Sequence, residues 1–392
     1  MPQKCGVRVN AREKFHGIMG FELDTPNMKT EFGYWAGAVR RWFEEGLPVE
    51  EDIPHSVLDG DLVRGSEPLF PGSGELVDHN VMEVLGLDSY LGKFPIDLSP
   101  PLEPEILEED GSYRVIRDRY GVTKKQLKGS AATHFTVDYP IENRGDFHRY
   151  IERYDRDFHR RLPANVEELR GLEPERSLPI RLGGNPYGFS FFPRYLMGDE
   201  RYMLNLYDDP DLIGEFNRFF LDFVMEYWAV ILEWFDVDCV MILEDMAYRG
   251  GSMISPEMFD KFLAPYYREL TGFLRSCGIE HIFVDCDGFV ERLVPRWIDA
   301  GVTGIFPVEA VNDLVSIAEQ YPRLRIMGGI DKRALFSGRP EPIDTELRRI
   351  EPLLARGGYV PHIDHAVSQD IGWETFKYYR VELNRMIDGR IQ

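Results

Sequence analysis

The sequence predicts an α/β protein: a (β/α)8 barrel carrying an N-terminal elaboration that includes a β-hairpin. Three observations lead there. From about residue 178, short apolar runs recur with amphipathic helical stretches between them, and strands repeating every ~20 to 40 residues with intervening helices indicate βα units and a parallel sheet. No GxGxxG or P-loop follows any of these runs, which favours a barrel over a doubly wound nucleotide-binding sheet. Polar residues stand at the C-terminal ends of successive runs, where barrel active sites are built.

Taken along the chain, residues 1–150 hold N-terminal helices, the hairpin and the first barrel elements, and 151–392 hold the main part of the barrel, one domain in all. The first half is irregular, with Pro and Gly at turn-like positions in "LFPGSGEL" and "FPIDLSPPLEPEILEEDG". Trp35 and Trp42 lie on an amphipathic stretch and read as core or lid packing. The segment "SYRVIRDRYGVTKKQL", 112–127, alternates apolar and polar residues on either side of "RYG", as a solvent-facing hairpin does. Six strands are expected at "LPIRL" (178–182), "VDCVMIL" (237–243), "IFVD" (282–285), "GIFPV" (304–308), "LRIMGG" (324–329) and "GYVPHI" (358–363). Between the last four, "FVERLVPRWIDAG", "VNDLVSIAEQYP" and the run from "DKRALF" to "LLARGG" have helical spacing, with acidic N-caps or glycine stops around several.

The strand ends read Glu244-Asp245, Asp285-Cys286-Asp287, Glu309, Asp331 and, after the last strand, His362 to His365. These groups would converge on one mouth. Side chains alternate across a strand, so His281, Phe283, Asp285 and Asp287 share one face while Ile282, Val284 and Cys286 share the other. Aspartates turned toward helices would be buried without partners, which is costly. Asp285 and Asp287 are therefore expected at the lumen and its mouth, and Cys286 as a small packing residue.

Other residues divide between two uses. Glu244 and Asp245, with Arg249 just beyond, suit either a structural salt bridge or substrate contact. Tyr187, with Asn185 and Arg194 on the glycine-rich "GGNPYGFSFFPRYLMG" loop, suits ligand contact or loop packing. Asp331 suits a helix N-cap or a ligand group, and His362 a buried structural histidine.

The totals exclude several classes. With 45 basic against 67 acidic residues the formal charge is −22, which repels phosphate backbones and anionic membranes. No run approaches the ~20 apolar residues of a membrane span. Four cysteines without CxxC spacing read as reduced thiols. A cytoplasmic protein with a small-molecule substrate is expected, without nucleic-acid or membrane partners, and a second copy of the chain is a candidate partner.

The stretches "GIEHIFVDCDGFVERLVPRWIDAGVTGIFPVEAVNDL", "RIMGGIDKRAL" and "GGYVPHIDHAV" resemble the uroporphyrinogen decarboxylase superfamily, most clearly over 200–385. The likeness is closest to the decarboxylase-like and MtaA/CmuA-type methyltransferase branch that works with corrinoid proteins. The resemblance implies a (β/α)8 barrel of the uroporphyrinogen decarboxylase type and a methyl-transfer enzyme, with a corrinoid, its carrier protein or tetrahydrofolate supplying the methyl group. Methyltransferases of this group, and cobalamin-independent methionine synthases, share a zinc site of His-x-Cys, often a later Glu, and a Cys after the last strand. Those positions fall here on Asp285, Asp287, Glu309 and His365. Three carboxylates and an imidazole form a harder set, suited to a divalent Zn, Mn or Fe. By the same resemblance Asp285, Asp287 and His365 are the catalytic candidates; from their own places at strand ends and on the glycine-rich loop, Glu244, Asp245, Tyr187 and Asp331 are the candidates for substrate contact. His365 also matches the His of the decarboxylases' "GHG" stretch, whereas their N-terminal arginine motif has no counterpart beyond Arg40 and Arg41. A metal-free lyase acting on a porphyrinogen or another acid is the alternative, and an inactive binding paralogue the third.

Overall fold

The computed structural model describes residues 9–64, 76–89, 91–93, 102–128, 135–172 and 175–389. Cys5, the "PGSG" turn and the "FPIDLSPP" stretch lie outside them. The main sheet has seven strands: β1 (Gly92–Lys93), β2 (Ile180–Gly183), β3 (Cys239–Leu243), β4 (Ile282–Asp285), β5 (Gly304–Val308), β6 (Arg325–Gly328) and β7 (Tyr359–Val360). Each is parallel to its neighbour, and their order across the sheet is their order in the chain. A doubly wound sheet reverses that order at a switch point; here it never reverses. All six expected apolar runs contribute strands, and β1 is the one that pattern did not mark.

Closure into an eight-stranded barrel was expected, but no strand pairing among the described residues joins β7 to β1. Residues 27–35 run between those two edges. Asp88, just ahead of β1, donates its N–H to Lys29 O at 2.8 Å, and Asn27 Nδ2 donates to Tyr359 O at 2.8 Å. Beyond β7, Val367 N–H reaches Gly33 O and Trp35 N–H reaches Val367 O, both at 3.0 Å.

The sheet has two apolar faces. Cys239, Met241, Phe283, Phe306, Met327 and Val360 form one cluster with Phe15, Ile18, Met19, Met28 and Phe32. Val240, Ile242, Ile282, Val284, Ile305, Ile326 and Tyr359 belong instead to the large core shared with the helices. This alternation, broken only at the register shift near Val308 of β5 among these strands, puts the first set on the inner face. The helix Ala11–Met19, started by an Asn10–Glu13 capping box, covers the N-terminal ends of the strands. It is held there by Asp238, whose side chain is 1% exposed and accepts from Arg12 Nε (2.7 Å), Arg176 Nη1 (2.5 Å), His16 Nε2 (2.6 Å) and Ile180 N–H (2.6 Å). Despite burial, these partners hold its carboxyl well below the usual range.

The expected hairpin forms from Tyr113–Arg117 and Thr123–Leu127, within a four-stranded antiparallel sheet that adds Glu105–Glu109 and Phe135–Asp138. Asp118 Oδ1 closes its turn by accepting from Tyr120 and Val122 N–H, both at 3.0 Å, while Gly121 takes φ +85°. Among the described residues no helix is long and apolar enough to cross a membrane.

Candidate functional site

Beyond Phe283, the inner face of β4 continues to Asp285, which is half-buried opposite Leu243 and Phe306. Asp287 follows two residues later, just past the strand. Gly288 bends the chain there with φ +80°, and a Cβ on it would lie 2.6 Å from the backbone of Ala247. Two side chains from the loop after β5 clamp this bend. Glu309 Oε2 accepts the Gly288 N–H at 2.9 Å; Asn312 donates to Gly288 O at 2.8 Å and accepts from Val290 N–H at 2.9 Å. Cys286 points the other way, into the helix-side core at 3% exposure. Burial raises its thiol far above the ordinary value, so the thiolate needed for nucleophilic work is suppressed.

The loop after β7 supplies the facing wall. His365 Nε2 stands 3.4 Å from Asp287 Oδ2, with side chains 25% and 35% exposed respectively. Its ring stacks on Phe32 at 4.9 Å and lies 6.3 Å from Trp35. Asp245 joins them from the turn after β3, held at φ +41°. Burial, reinforced by the Asp287 carboxylate and opposed by Arg194 and His365, raises its pKa. An aspartate–imidazole pair backed by an aromatic ring and a second carboxylate can accept, hold and return a proton. His362 lies deeper, fully buried against Phe306 and Phe32, with its Nδ1 2.7 Å from Ile363 O.

Several expected site residues are placed elsewhere. Glu244 is fully buried in the wall. Its carboxylate accepts from the N–H groups of Phe189 (3.0 Å), Ser190 (2.7 Å) and Phe191 (3.2 Å) and from Tyr267 OH (2.6 Å). With four donors satisfied internally, it anchors a turn rather than a substrate. Arg249 is exposed, and the guanidinium that reaches this turn is that of Arg194, donating to Glu244 O at 3.0 Å and Asp245 O at 2.7 Å. Tyr187 is buried against Trp228 of the outer helix Pro210–Leu232, rings 5.8 Å apart, and does not reach the mouth. Asp331 caps the 3-10 helix Lys332–Leu335 through Arg333 N–H (2.9 Å) and is ion-paired with the Arg333 side chain at 2.7 Å. Trp42 packs in the core, as expected.

The four-residue metal set does not assemble. Asp287 and His365 meet, but Glu309 is turned to Gly288 N–H, and among the described residues no three His, Cys, Asp or Glu side chains gather closely enough to hold a metal ion. As arranged, Asp285, Asp287, Glu309 and His365 do not fit a metal centre.

Three residues at the site escaped sequence reasoning. Phe32 and Glu31 lie over 330 positions from the loop they touch, and no local pattern marks them; Glu31 Oε2 accepts from Ile363 N–H at 3.2 Å. Asp364, beside His365, carried a signal in its neighbour alone. It is 6% exposed, accepts from Ala310 N–H at 3.2 Å through Oδ2, and has no partner for Oδ1. Burial, partly relieved by Lys332 and aggravated by Asp331 and Glu309, raises its pKa from 3.8 to about 6. A carboxyl whose pKa rises on folding favours the fold below its unfolded pKa, and that contribution is lost as pH climbs through the folded value. Asp364→Asn removes this dependence. Its thermal stability should exceed wild type by up to about 3 kcal/mol at pH 7.5 and converge with it below about pH 4, as followed by melting across pH. Equal stability at both ends would contradict the burial of an ionised Asp364.

The model of a family described as "Uroporphyrinogen decarboxylase (URO-D)" matches residues 134–380. Among solved structures, a methyltransferase from Methanosarcina mazei is similar with a TM-score of 0.57 at 15% identity, covering 97% of this chain and 99% of that one. At that identity the likeness concerns the fold. A B12-independent methionine synthase from a Shewanella species in complex with selenomethionine aligns at a TM-score of 0.38 and 10% identity, over 79% and 84% of the two chains. No curated protein matches significantly.

Proposed function

Because the chain belongs to the uroporphyrinogen decarboxylase (URO-D) family, whose shared fold leaves the chemistry to the site, we propose that it is a methyl-transfer enzyme in which Asp287 and His365 form the acid–base element. The observation that carries this is their 3.4 Å approach at the C-terminal end of the sheet, between Phe32 and Asp245. Residues 27–35 take the eighth position of the barrel in this proposal, bringing Phe32 and Trp35 to its mouth.

With Nε2–H turned to Asp287, His365 offers its other ring nitrogen as the base in this scheme. It takes the proton of an acceptor X–H, such as a thiol. The acceptor's electron pair then forms the bond to the methyl carbon, and the carrier departs with the pair from the broken bond. Asp287 and Asp245 stabilise the imidazolium left behind. The carrier, a corrinoid on its own protein or tetrahydrofolate, is a substrate in this scheme. No step is assigned to a metal, given the unassembled ligand set.

Decarboxylation of a polyacid fits the site less well, since it calls for fixed cations at the mouth. Arg40 is engaged by Asp59 and Val57 O, and Arg41 by Glu45 and Gln369 O. Asp245, Asp287, Glu309 and Asp364 instead supply negative charge. Methylcobalamin and methyltetrahydrofolate, each offered with a panel of thiols, test the proposal. Demethylation of one donor above the enzyme-free rate is expected. Carbon dioxide release from a porphyrinogen without methyl transfer would select the lyase, and inertness to every substrate the binding paralogue. A stoichiometric metal that is lost in Asp287→Ala would overturn the metal-free assignment.

A further inference from the structure

Opposite the acidic mouth, a cavity of about 410 Å³ opens between the N-terminal ends of β5 and β6, with Arg275, Arg323 and Arg325 in its lining. Tyr321, Val302 and Leu324 complete much of its wall. Arg323 lies over the Phe21 ring at 4.2 Å, and Arg325 and Arg356 approach the same ring at 5.9 and 5.6 Å.

Three of these cations are held in place by carbonyls, which orient a guanidinium without cancelling its charge. Arg325 Nε donates to Met19 O at 2.9 Å, Arg275 Nη2 to Gly301 O at 2.6 Å, and Arg356 Nη2 to Leu324 O at 2.9 Å. Arg356 Nε is buried without a partner. Among the described residues, none of these four arginines has a carboxylate within the 4.0 Å of an ion pair. The acidic group whose charge is felt at Arg325 is Glu280, an exposed residue. Elsewhere, arginines as different as Arg12, Arg176, Arg218 and Arg380 each have an acidic partner. In a chain of 67 acidic and 45 basic residues, such a gathering of uncompensated guanidiniums leaves unopposed like-charge repulsion that a bound dianion would relieve. Burial and the neighbouring Arg323 accordingly depress Arg325, and burial brings Arg356 down to about 10.

We propose that this cavity binds the phosphate group of a phosphorylated small molecule, held by Arg275, Arg323 and Arg325. Guanidinium groups match phosphate oxygens in charge and fork geometry. The volume exceeds that of a bare phosphate, and the apolar wall suits an organic body attached to it. The site is independent of the methyl-transfer proposal and lies at the opposite end of the strands from the acidic mouth.

Titration calorimetry of the full chain with inorganic pyrophosphate at low ionic strength tests it. Binding is expected for the wild type, weakening as salt rises. Arg323 is exposed and, among the described residues, makes no hydrogen bond, so Arg323→Glu should fold normally and weaken binding by at least about tenfold. Arg160→Glu, the same change of net charge on the turn Phe158–Arg161, should leave affinity within about twofold. Absence of binding at about 10 mM pyrophosphate, more than 10³-fold weaker than a micromolar site, would overturn the proposal. So would equal affinity in Arg323→Glu and wild type, or equal weakening by the two variants.

Discussion

Asp287→Asn and His365→Gln should each lower methyl-transfer kcat by about 10²- to 10⁴-fold, the range spanned by a positioned proton-transfer group, while leaving the circular dichroism spectrum and melting temperature near wild type. Both side chains are partly exposed at the mouth, so neither substitution opens a cavity or orphans a buried charge. Asparagine keeps the shape of Asp287 but cannot stabilise an imidazolium as a carboxylate does. Cys286→Ala is the control, because that thiol faces the helix-side core and is held protonated by burial; it should retain activity within a few-fold. Asp287→Asn working at full rate, or Cys286→Ala losing activity without loss of fold, would refute the assignment.

The largest stability effect is expected from Arg380→Met. Arg380 and Glu31 form an ion pair at 2.8 Å with both side chains at 0% exposure. Glu31 also accepts from Tyr379 OH at 2.8 Å and from Ile363 N–H, two residues before His365. Arg380 further donates to Thr30 O and Asn384 Oδ1. Removing one partner of a buried pair strands the other charge, at a cost of about 3–5 kcal/mol, lowering the melting temperature on the order of 5 °C for a chain of this size. Even with its partner present, burial raises the pKa of Glu31. In the variant, protonation becomes the route of relief, so the deficit should be greatest at high pH and shrink as pH falls through that raised value. Glu31→Met combined with Arg380→Met removes both charges and should recover part of the loss. A single variant as stable as wild type across pH would show that the pair does not hold the 362–365 loop in place.

How far the sequence could be read depends on the range of the interaction concerned. Strands β2 to β7 were legible because burial on both faces demands continuous apolar runs, and the helices between them because one buried face imposes a helical period. β1 has two residues in a stretch broken by proline and glycine, and carries neither signal. The opposite orientations of Cys286 and the flanking aspartates were legible as well, since strand parity is a local rule. Its place at a strand end puts Glu244 among the mouth residues, but nothing local says what waits at the end of the side chain. The three amides that consume it belong to a loop more than 50 positions away. The same holds for Tyr187, which the outer helix claims, and for Glu309, whose position at the mouth was expected but whose bond to Gly288 was not.

The sequence by itself determined the α/β class, the parallel strand series, the hairpin, the family and the set of polar residues delivered to one end of the sheet. These follow from local periodicity, turn chemistry and short motifs, all encoded within a few tens of residues. Tertiary structure alone decided which of those polar residues meet. It joined Asp287 to His365, set Phe32 beneath the imidazole, buried Asp364 and Glu31, and left a metal ligand set unassembled. The physical reason is that hydrogen bonds and desolvation act over a few ångströms in space with no regard to separation along the chain.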